Sequence, residues 1–464
     1  MTAPTVPRHG IITSPGHWVR KRLFNSGLNT VLTVVLVPLV AYLIWRGVTF
    51  VFVTARWEPV RNNLTLFMIG RFPRAEIWRV VAQVVIWSSA IGLAWGAAVA
   101  GAKARALRAG LPYKEDSAIA KARRNGAILA ALALLLAMAQ TWGPLILFGV
   151  SFVAALLLQR VAARTPAPQV PYVWAAVAVL AVGGFQIVSG FHGTGWLWIG
   201  IPIALAASRL LGRRDWRTHR IRRLASLSAV VGVLGVAYAV YAVVDSPGVG
   251  WERWEGLRLN LLAAPIALTL AFPIGMGLAL ARRSSFPALR MVATGYIELI
   301  RGVPLISLLL MGQFFIGFFL NTATPLSSLT RAFIVLTMFA SAYIAEIIRG
   351  GLQSVPTGQI EAGQSVGLSP WKVTRFIVLP QALRNVIPPM VGQFISLTKD
   401  TTLLYIISIA EILYIRNIVH AQAEFRAFGI AETLVFVAFI FWSITFSMSR
   451  ESQRIERRLG VGVR

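Results

Sequence analysis

The chain has 464 residues, of which 56% are hydrophobic and 13% charged, and its formal net charge is +28. In a soluble protein this charge would suggest nucleic-acid binding. Here lysine and arginine cluster in loops between apolar stretches, as in multi-pass membrane proteins, so we expect a lipid bilayer around the chain and no nucleic-acid partner. The chain has no cysteine and only five scattered histidines, which excludes disulfides and thiolate chemistry and predicts no metal site and no cofactor.

The chain begins with a basic segment, residues 1–30, which we place in the cytoplasm. The apolar run that follows is too long for a signal-peptide core and has no small-residue cleavage site, so we expect a first membrane anchor. Stretches near the roughly 20 residues needed to cross a bilayer recur along the chain. The predicted spans lie at about 31–53, 80–101, 126–158, 171–190, 197–211, 226–244, 261–281, 291–320, 331–349, 386–410 and 430–449.

The third of these stretches is too long for one ordinary helix, and Gly143-Pro144 near its middle favours a hairpin. With that split, the arginine-rich loops 102–125 and 212–225 both lie inside, as the positive-inside rule requires. We therefore expect an all-α fold of about 12 spans with both termini cytoplasmic. A partly re-entrant segment at 143–211 is the alternative and would leave fewer spans. The segment 54–79, placed outside, carries Arg56, Arg61, Arg71, Arg74 and Arg79, for which the sequence offers no reason beyond interfacial snorkelling.

The polar segment Asp245–Gly256 marks a boundary in the chain. Before it, the spans of residues 31–255 consist mostly of leucine, alanine and valine, and we treat them as an N-terminal leader. After it, residues 256–449 contain charges and prolines within their apolar runs. Residues 450–464 form a basic tail, expected in the cytoplasm. Trp251, Trp254, Trp371 and Trp442 fit the aromatic belts found at membrane interfaces.

The segment 356–380 is a polar, amphipathic insertion between two apolar spans. Pro356 and Gly358 break the preceding helix, and Gln359–Val366 is long enough for about two helical turns. Gly367 allows a left-handed turn, after which Leu368-Ser369-Pro370 begins the next helix. A short helix with a fixed turn after it suits the transmission of a rigid-body push from a soluble partner.

Several residues of this insertion stand at the spacing of the E-A-A…G…I-x-L-P signature, namely Glu361, Ala362, Gly367, Phe376, Ile377, Leu379 and Pro380. With the flanking runs at Tyr296–Ile306 and Ser341–Gln353, the chain resembles permease subunits of binding-protein-dependent ABC importers, and among them the polar amino acid permeases for histidine, glutamine and general L-amino acids. The resemblance covers about 256–449 closely. Before it, the chain is similar only to the leader spans of one subtype.

The resemblance implies an ABC importer type-1 transmembrane domain of five or six helices. It also implies a coupling helix that docks on a separate ATPase subunit through Gln359, Glu361, Ala362, Gly363 and Gly367. Gly363 departs from the alanine usual in the family and should weaken the helix by up to about 1 kcal/mol. The other partners implied are a second permease subunit, as a homodimer or heterodimer, and an external amino-acid-binding protein. Polar or charged L-amino acids are the expected solutes.

Charges inside the apolar spans are the candidate solute contacts. Glu298 and Arg301 share a helix face, and Lys399, Asp400 and Thr401 interrupt another apolar run. Each group offers a carboxylate and a cation, as a zwitterionic amino acid would need. The alternative is that these residues form ion pairs with one another or with a partner subunit and touch no solute. Glu346–Gly350 repeats the E-x-x-R-G pattern, and we interpret it as an interfacial anchor.

The chain has no G-x-x-x-x-G-K-[ST] loop and no nucleophile elbow, so we expect a transport subunit that is not itself an enzyme and has no catalytic residues. Two other classes of function would require sequence patterns of their own. An ion-gradient-driven secondary transporter would usually show internal repeats, and a membrane-embedded enzyme would need a constellation of catalytic residues. Neither pattern is found in the sequence.

Overall fold

A computed structural model of the protein describes residues 23–110, 142–189, 253–319, 326–426 and 428–459, together with Val19 and Ala133. The described residues are helical almost throughout. Their only β-type pairing is one bridge between Gly256 and Glu411. Seven of the described helices are long and apolar enough to cross a membrane, and a bent pair could form an eighth span. Predicted spans at 197–211 and 226–244, the first half of 126–158 and most of the basic N-terminus, residues 1–18 and 20–22, lie outside these residues, so the count of twelve stays a prediction.

The leader begins with α1, Gly27–Thr49, which continues as a wide turn through Thr54 and has no buried residue. Two short helices follow, α2 at Glu58–Asn62 and α3 at Leu64–Ile69. The long α4, Ile77–Arg108, packs against α5, Gly143–Ala163, and α6, Val170–Ser189. A helix thus begins at Gly143, the position where the sequence predicted a break.

Small residues let the leader helices approach closely, which is how helices associate in lipid. A Cβ atom at Gly92 or Gly96 of α4 would collide with the backbone of α5, and one at Gly184 of α6 would collide with the ring of Trp87. The Trp87 indole N–H donates to the Ala181 carbonyl over 3.0 Å. The leader is therefore a packed bundle where it is described, apart from the exposed α1.

The C-terminal region is built around α7, Gly256–Arg282, and α10, Ser328–Gln353. Alanines at 264, 267, 271 and 279 line one face of α7 and are all buried. On the same face, a Cβ at Gly275 would lie 2.7 Å from the Ser341 carbonyl oxygen of α10. The ends of α7 and α10 that carry Arg282 and Glu346 also meet, so these two helices run in the same direction.

The predicted span 291–320 is not one continuous helix. It consists of α8, Pro287–Gly302, and α9, Leu305–Phe319, which meet at an angle of 108°. Gly302 and Pro304 lie at the bend, and proline provides no backbone N–H to continue a helix. The chain then returns through α10 and passes through α11, Thr357–Ser365, and α12, Pro370–Val373, to α13, Leu379–Asp400.

Helix α13 connects the two ends of this region. Near its start, Val386 packs against Gly351 of α10, and just after its last residue Thr401 is bonded to Asn260 near the start of α7. A 3₁₀ turn, Thr401–Ile407, replaces the end of the predicted span 386–410. The short α14, Ile412–Ala421, and the long α15, Ile430–Leu459, complete the chain. The predicted span 430–449 thus continues as helix into the basic tail.

The leader and the C-terminal region share a core. Val60, Leu64 and Phe67 are buried in one cluster with residues of α14 and α15, and the rings of Phe67 and Phe436 lie 5.1 Å apart. Arg71 pairs with Glu255, with 2.5 Å between Nη2 and Oε1. The predicted boundary at 255/256 is therefore a change in composition rather than a gap between two separately packed bodies.

Trp254, predicted to lie in an interfacial belt, is instead buried at this junction. The Arg258 guanidinium lies 4.8 Å from the centroid of the Trp254 ring and 5.0 Å from that of Phe72, and its Nε donates to Gln83 of α4 over 3.1 Å. Cation–π contacts stabilise a cation that has lost its water, so this packing fixes α4 against α7. Trp371 and Trp442 are exposed, and Trp251 lies outside the described residues.

Candidate functional site

The polar insertion forms a short helix, as the sequence predicted. Helix α11 has nine residues and begins directly after Pro356. Gln359, Glu361 and Ala362 are exposed along it, whereas Gly363 is buried. The helix therefore presents an acidic, polar surface to its surroundings.

The end of α11 is locked by its backbone. Gly367 adopts φ +78°, a left-handed conformation that costs glycine little. Its N–H donates to the Gln364 carbonyl over 2.9 Å, and the Leu368 N–H donates to the Gly363 carbonyl over 3.2 Å. These two bonds make a Schellman cap. The cap fixes the direction in which the chain leaves the helix, so a displacement of α11 moves the following segment with it.

Gly363 has a packing role that the sequence did not reveal. A Cβ atom at this position would lie 2.7 Å from Ile377 Cδ1 and 3.0 Å from Val373 Cγ2. Val373 ends α12, and Ile377 lies in the wide turn Thr374–Val378 that leads into α13. The glycine therefore lets α11 lie directly on α12 and on the wide turn that leads into α13, and this packing offsets its low helix propensity.

Large apolar side chains surround this polar helix without being covered. Val366, Trp371 and Phe376 are 74%, 69% and 64% exposed. An exposed apolar patch beside charged groups is typical of a protein-interaction surface. A soluble partner that covered α11 would contact these three residues as well.

A cluster of ion pairs lies one helical segment away from α11. Glu346 of α10 is its centre. Its Oε1 is 2.5 Å from Arg282 Nη1, and its Oε2 is 2.9 Å from Arg349 Nη2 and 3.3 Å from Arg301 Nη1. Glu346 precedes Gln353, the last residue of α10, by seven positions, or about 10 Å of helix. The cluster thus joins α7, α8 and α10 close to the insertion.

Glu298 and Arg301, the first predicted solute contacts, belong to this cluster but do not pair with each other among the described contacts. Glu298 Oε1 lies 2.8 Å from Arg282 Nη2, and Arg301 reaches Glu346 and the face of Tyr343. The sequence missed Arg282 and gave Glu346 only an anchoring role. The repeated E-x-x-R-G pattern was a signal for both sites, since its two copies meet here.

The second predicted group lies at the other end of the molecule. Lys399 is exposed, Asp400 is half-buried and Thr401 is fully buried. The Thr401 hydroxyl accepts from Asn260 over 3.0 Å and donates to the Thr398 carbonyl over 2.7 Å, so in this conformation it is a structural group. Asn260 and Arg282 are separated by about 33 Å of helix α7. One amino acid therefore cannot contact both predicted groups at once.

Next to Thr401 lies a buried acid that the sequence did not single out. Glu411 caps α14 by accepting from the Tyr414 N–H over 2.7 Å, and Asn260 Nδ2 donates to it over 3.2 Å. Burial raises the pKa of this carboxyl to about 7, although the bonds from Leu413, Asn260 and Tyr414 oppose the rise. The group ties the start of α7 to the 401–411 segment.

No cluster of histidine, aspartate and glutamate suited to a metal ion occurs within the described residues.

The sequence of residues 271–461 matches a known family, described as the binding-protein-dependent transport system inner membrane component. The probable glutamine ABC transporter permease protein GlnP of Bacillus subtilis is 36% identical over an alignment that covers 44% of this chain and 92% of that protein. The chain belongs to the amino-acid ABC transporter permeases.

Two further relatives extend the comparison. The inner membrane amino-acid ABC transporter permease protein YhdY of Escherichia coli is 41% identical over 45% of this chain, an alignment that spans 57% of that relative. The glutamate/glutamine/aspartate/asparagine transport system permease protein BztC of Rhodobacter capsulatus is 29% identical over 99% of this chain and 97% of its own length. Similarity to a relative thus extends over the leader as well.

Membership in this family means that the permease is a multi-pass transport component without an ATPase site of its own, as the sequence predicted. It also implies an ATPase partner and a substrate-binding protein. The family provides no support for the ion-gradient-driven alternative.

Proposed function

We propose that this permease carries polar or charged L-amino acids across the bacterial inner membrane as part of a binding-protein-dependent importer. Of the relatives named above, BztC is described as a permease for glutamate, glutamine, aspartate and asparagine and GlnP as a probable permease for glutamine, which supports this solute class. Energy comes from a separate ATPase, and a second permease subunit completes the pathway. Both termini lie in the cytoplasm.

Helix α11 is the coupling helix in this proposal. The observation that carries it is the exposed acidic surface of α11, whose end is fixed by the Schellman cap and which packs through Gly363 on α12 and on the wide turn before α13. Helix α10 ends just before α11, and α13 begins just after α12 and the wide turn on which α11 packs. A push on α11 therefore moves both of these long helices. Such a rigid-body movement opens the pathway on the opposite side.

Glu298 and Arg301 are proposed to line the solute pathway near the coupling helix. Glu298 is 59% exposed in its side chain, against 16% for Glu346, so it is the carboxylate of the cluster that a solute ammonium can reach. Lys399 and Asp400 are proposed to contact the solute at the other end of the pathway. Thr401 is buried in this conformation, so it can contact the solute only after the 401–411 segment rearranges during transport.

The absence of cysteine in the chain allows a direct test. In proteoliposomes of the permease prepared without its ATPase, a single cysteine replacing Glu361 should react with a membrane-impermeant maleimide only from the side on which the ATPase is later added, and the modified permease should give no uptake once the ATPase and the binding protein are added. A matched cysteine replacing Glu424, an exposed acid at the opposite end, should react only from the other side. Labelling of position 361 from outside, or full uptake after its modification, would refute the proposal.

A further inference from the structure

We infer that the leader segment 55–74, together with two neighbouring arginines, forms a basic docking face for an acidic surface of the solute-binding protein. The face consists of five exposed arginines at the end of the permease opposite the coupling helix: Arg56, Arg61, Arg74, Arg253 and Arg426. The inference rests on the proposed function for the identity of the partner. It adds the surface that receives this partner and assigns part of that surface to the leader.

The position of this face follows from the packing of α7. Arg282, at one end of α7, joins the ion-pair cluster beside α11, whereas Gly256, at the other end, donates its N–H to the Ala410 carbonyl over 2.8 Å. The ion pair between Arg71 and Glu255 is adjacent to Gly256. The whole segment 55–74 therefore lies at the end remote from the coupling helix.

The face is rigidly attached to the permease. Val60, Leu64 and Phe67 are buried against α14 and α15. The Arg56 N–H donates to Glu432 over 2.9 Å, and Gln422 Nε2 donates to Asn63 over 2.9 Å. A segment whose backbone is already fixed loses less entropy when a partner binds, so this segment is suited to present charges to another protein.

The charges of this face are not balanced within the described part of the chain. Arg71 and Arg79 are paired with Glu255 and Glu76. The five arginines of the face make no ion pair there. Among the described residues of these segments, the exposed carboxylates are those of Glu58 and Glu424. The face thus has an excess of positive charge.

An excess of arginine at this end opposes the positive-inside rule, which favours lysine and arginine on the cytoplasmic side. Ion pairing explains Arg71 and Arg79 but not the rest. Charges at the rim of an interface speed association with a partner of opposite charge and set its orientation. An acidic protein surface is the partner whose charge complements five exposed guanidinium groups.

The test uses the complete complex in two sets of liposomes, one of neutral phosphatidylcholine and one that also contains an anionic lipid. The variant Arg61→Gln/Arg74→Gln removes two charges of the face; Arg56 is left in place because its guanidinium also lies over the Phe428 ring. The matched control Lys103→Gln/Arg108→Gln removes two exposed charges near the far end of α4. ATP hydrolysis is measured against the concentration of binding protein, at about 50 mM and about 500 mM salt, conditions between which charge screening increases severalfold.

We expect the concentration of binding protein that gives half-maximal stimulation to rise about fivefold or more for the variant at low salt, with the same rate at saturation. The control should match the wild type, and the difference should shrink at high salt. Equal midpoints for variant and wild type at low salt would overturn the inference and leave the proposed function intact. A defect seen only with anionic lipid in the liposomes would also overturn it, since the face would then contact lipid. Absence of any stimulation in the wild type would overturn the proposed function as well.

Discussion

Replacing Glu346 by glutamine should lower the unfolding free energy of the permease more than any other single change in the charged cluster. The substitution keeps the size of the side chain but removes its contribution to three ion pairs, with Arg282, Arg301 and Arg349. Three guanidinium groups would then share the single carboxylate of Glu298. The structural consequence is a loosened contact between α7, α8 and α10 next to the coupling helix.

The magnitude follows from burial. Loss of one partner from a fully buried pair costs about 3–5 kcal/mol, whereas an exposed pair contributes about 0–1 kcal/mol. The Glu346 side chain is 16% exposed and its three partners 23–36%. We therefore expect a loss of about 2 kcal/mol of unfolding free energy, between these limits. Glu298→Gln is the matched control, because Glu298 is 59% exposed and has one partner. Its loss should stay below about 1 kcal/mol.

Unfolding of the purified protein in detergent, followed by tryptophan fluorescence, measures both variants. Uptake by the reconstituted complex then separates stability from transport: Glu298→Gln should reduce uptake although the complex assembles normally. Equal stability losses for the two variants, within about 0.5 kcal/mol, would refute the central position of Glu346. Unchanged uptake in Glu298→Gln would remove Glu298 from the solute pathway.

Two more predictions concern the coupling helix and the buried acid. Gly363→Ala should lower ATP-coupled uptake despite a gain in helix propensity of up to about 1 kcal/mol, because the new Cβ would crowd Ile377 and Val373. Adding Ile377→Val removes the atom that would lie 2.7 Å from the new Cβ and should restore uptake. Uptake by the double variant that is lower than uptake by Gly363→Ala would contradict this packing. The folded-state pKa of Glu411 is about 7, against 4.5 for the free group. Its contribution to the unfolding free energy should therefore be highest at low pH, fall as the pH rises from about 5 to 7 and then level off. The reason is that between these pH values the folded state holds a proton that the unfolded state has lost. Glu411→Gln should abolish this fall in a stability–pH profile, and a profile identical to that of the wild type would contradict the assignment.

The insertion could be located from sequence because its signals are local. Pro356, Gly367 and Pro370 restrict the backbone wherever they occur, so the helix, its left-handed turn and the next helix start follow from short-range geometry. The packing role of Gly363 could not be predicted from such local signals. Its propensity alone suggests a weak helix, and only the contacts with Val373 and Ile377 show why no side chain is present.

The arginines of segment 54–79 show the same limit. The topology predicted from the sequence places these arginines on the outer side of the membrane. It cannot predict that Arg71 pairs with Glu255, which is 184 positions further along the chain. Trp254 shows the opposite error. Its type and position fit an interfacial belt, yet the folded chain buries it beside Arg258 because α4 and α7 come together there.

The sequence by itself determined the class of membrane protein, the position of the short helix α11 and the family, since hydropathy, proline and glycine signals and a spaced motif act over a few residues or one helix length. The tertiary structure alone decided that Glu298 and Arg301 meet Glu346, that Lys399 and Asp400 lie about 33 Å of helix away from them, and that the leader shares a core with the permease region. These contacts join residues far apart in the chain, and no local periodicity encodes which helix faces meet.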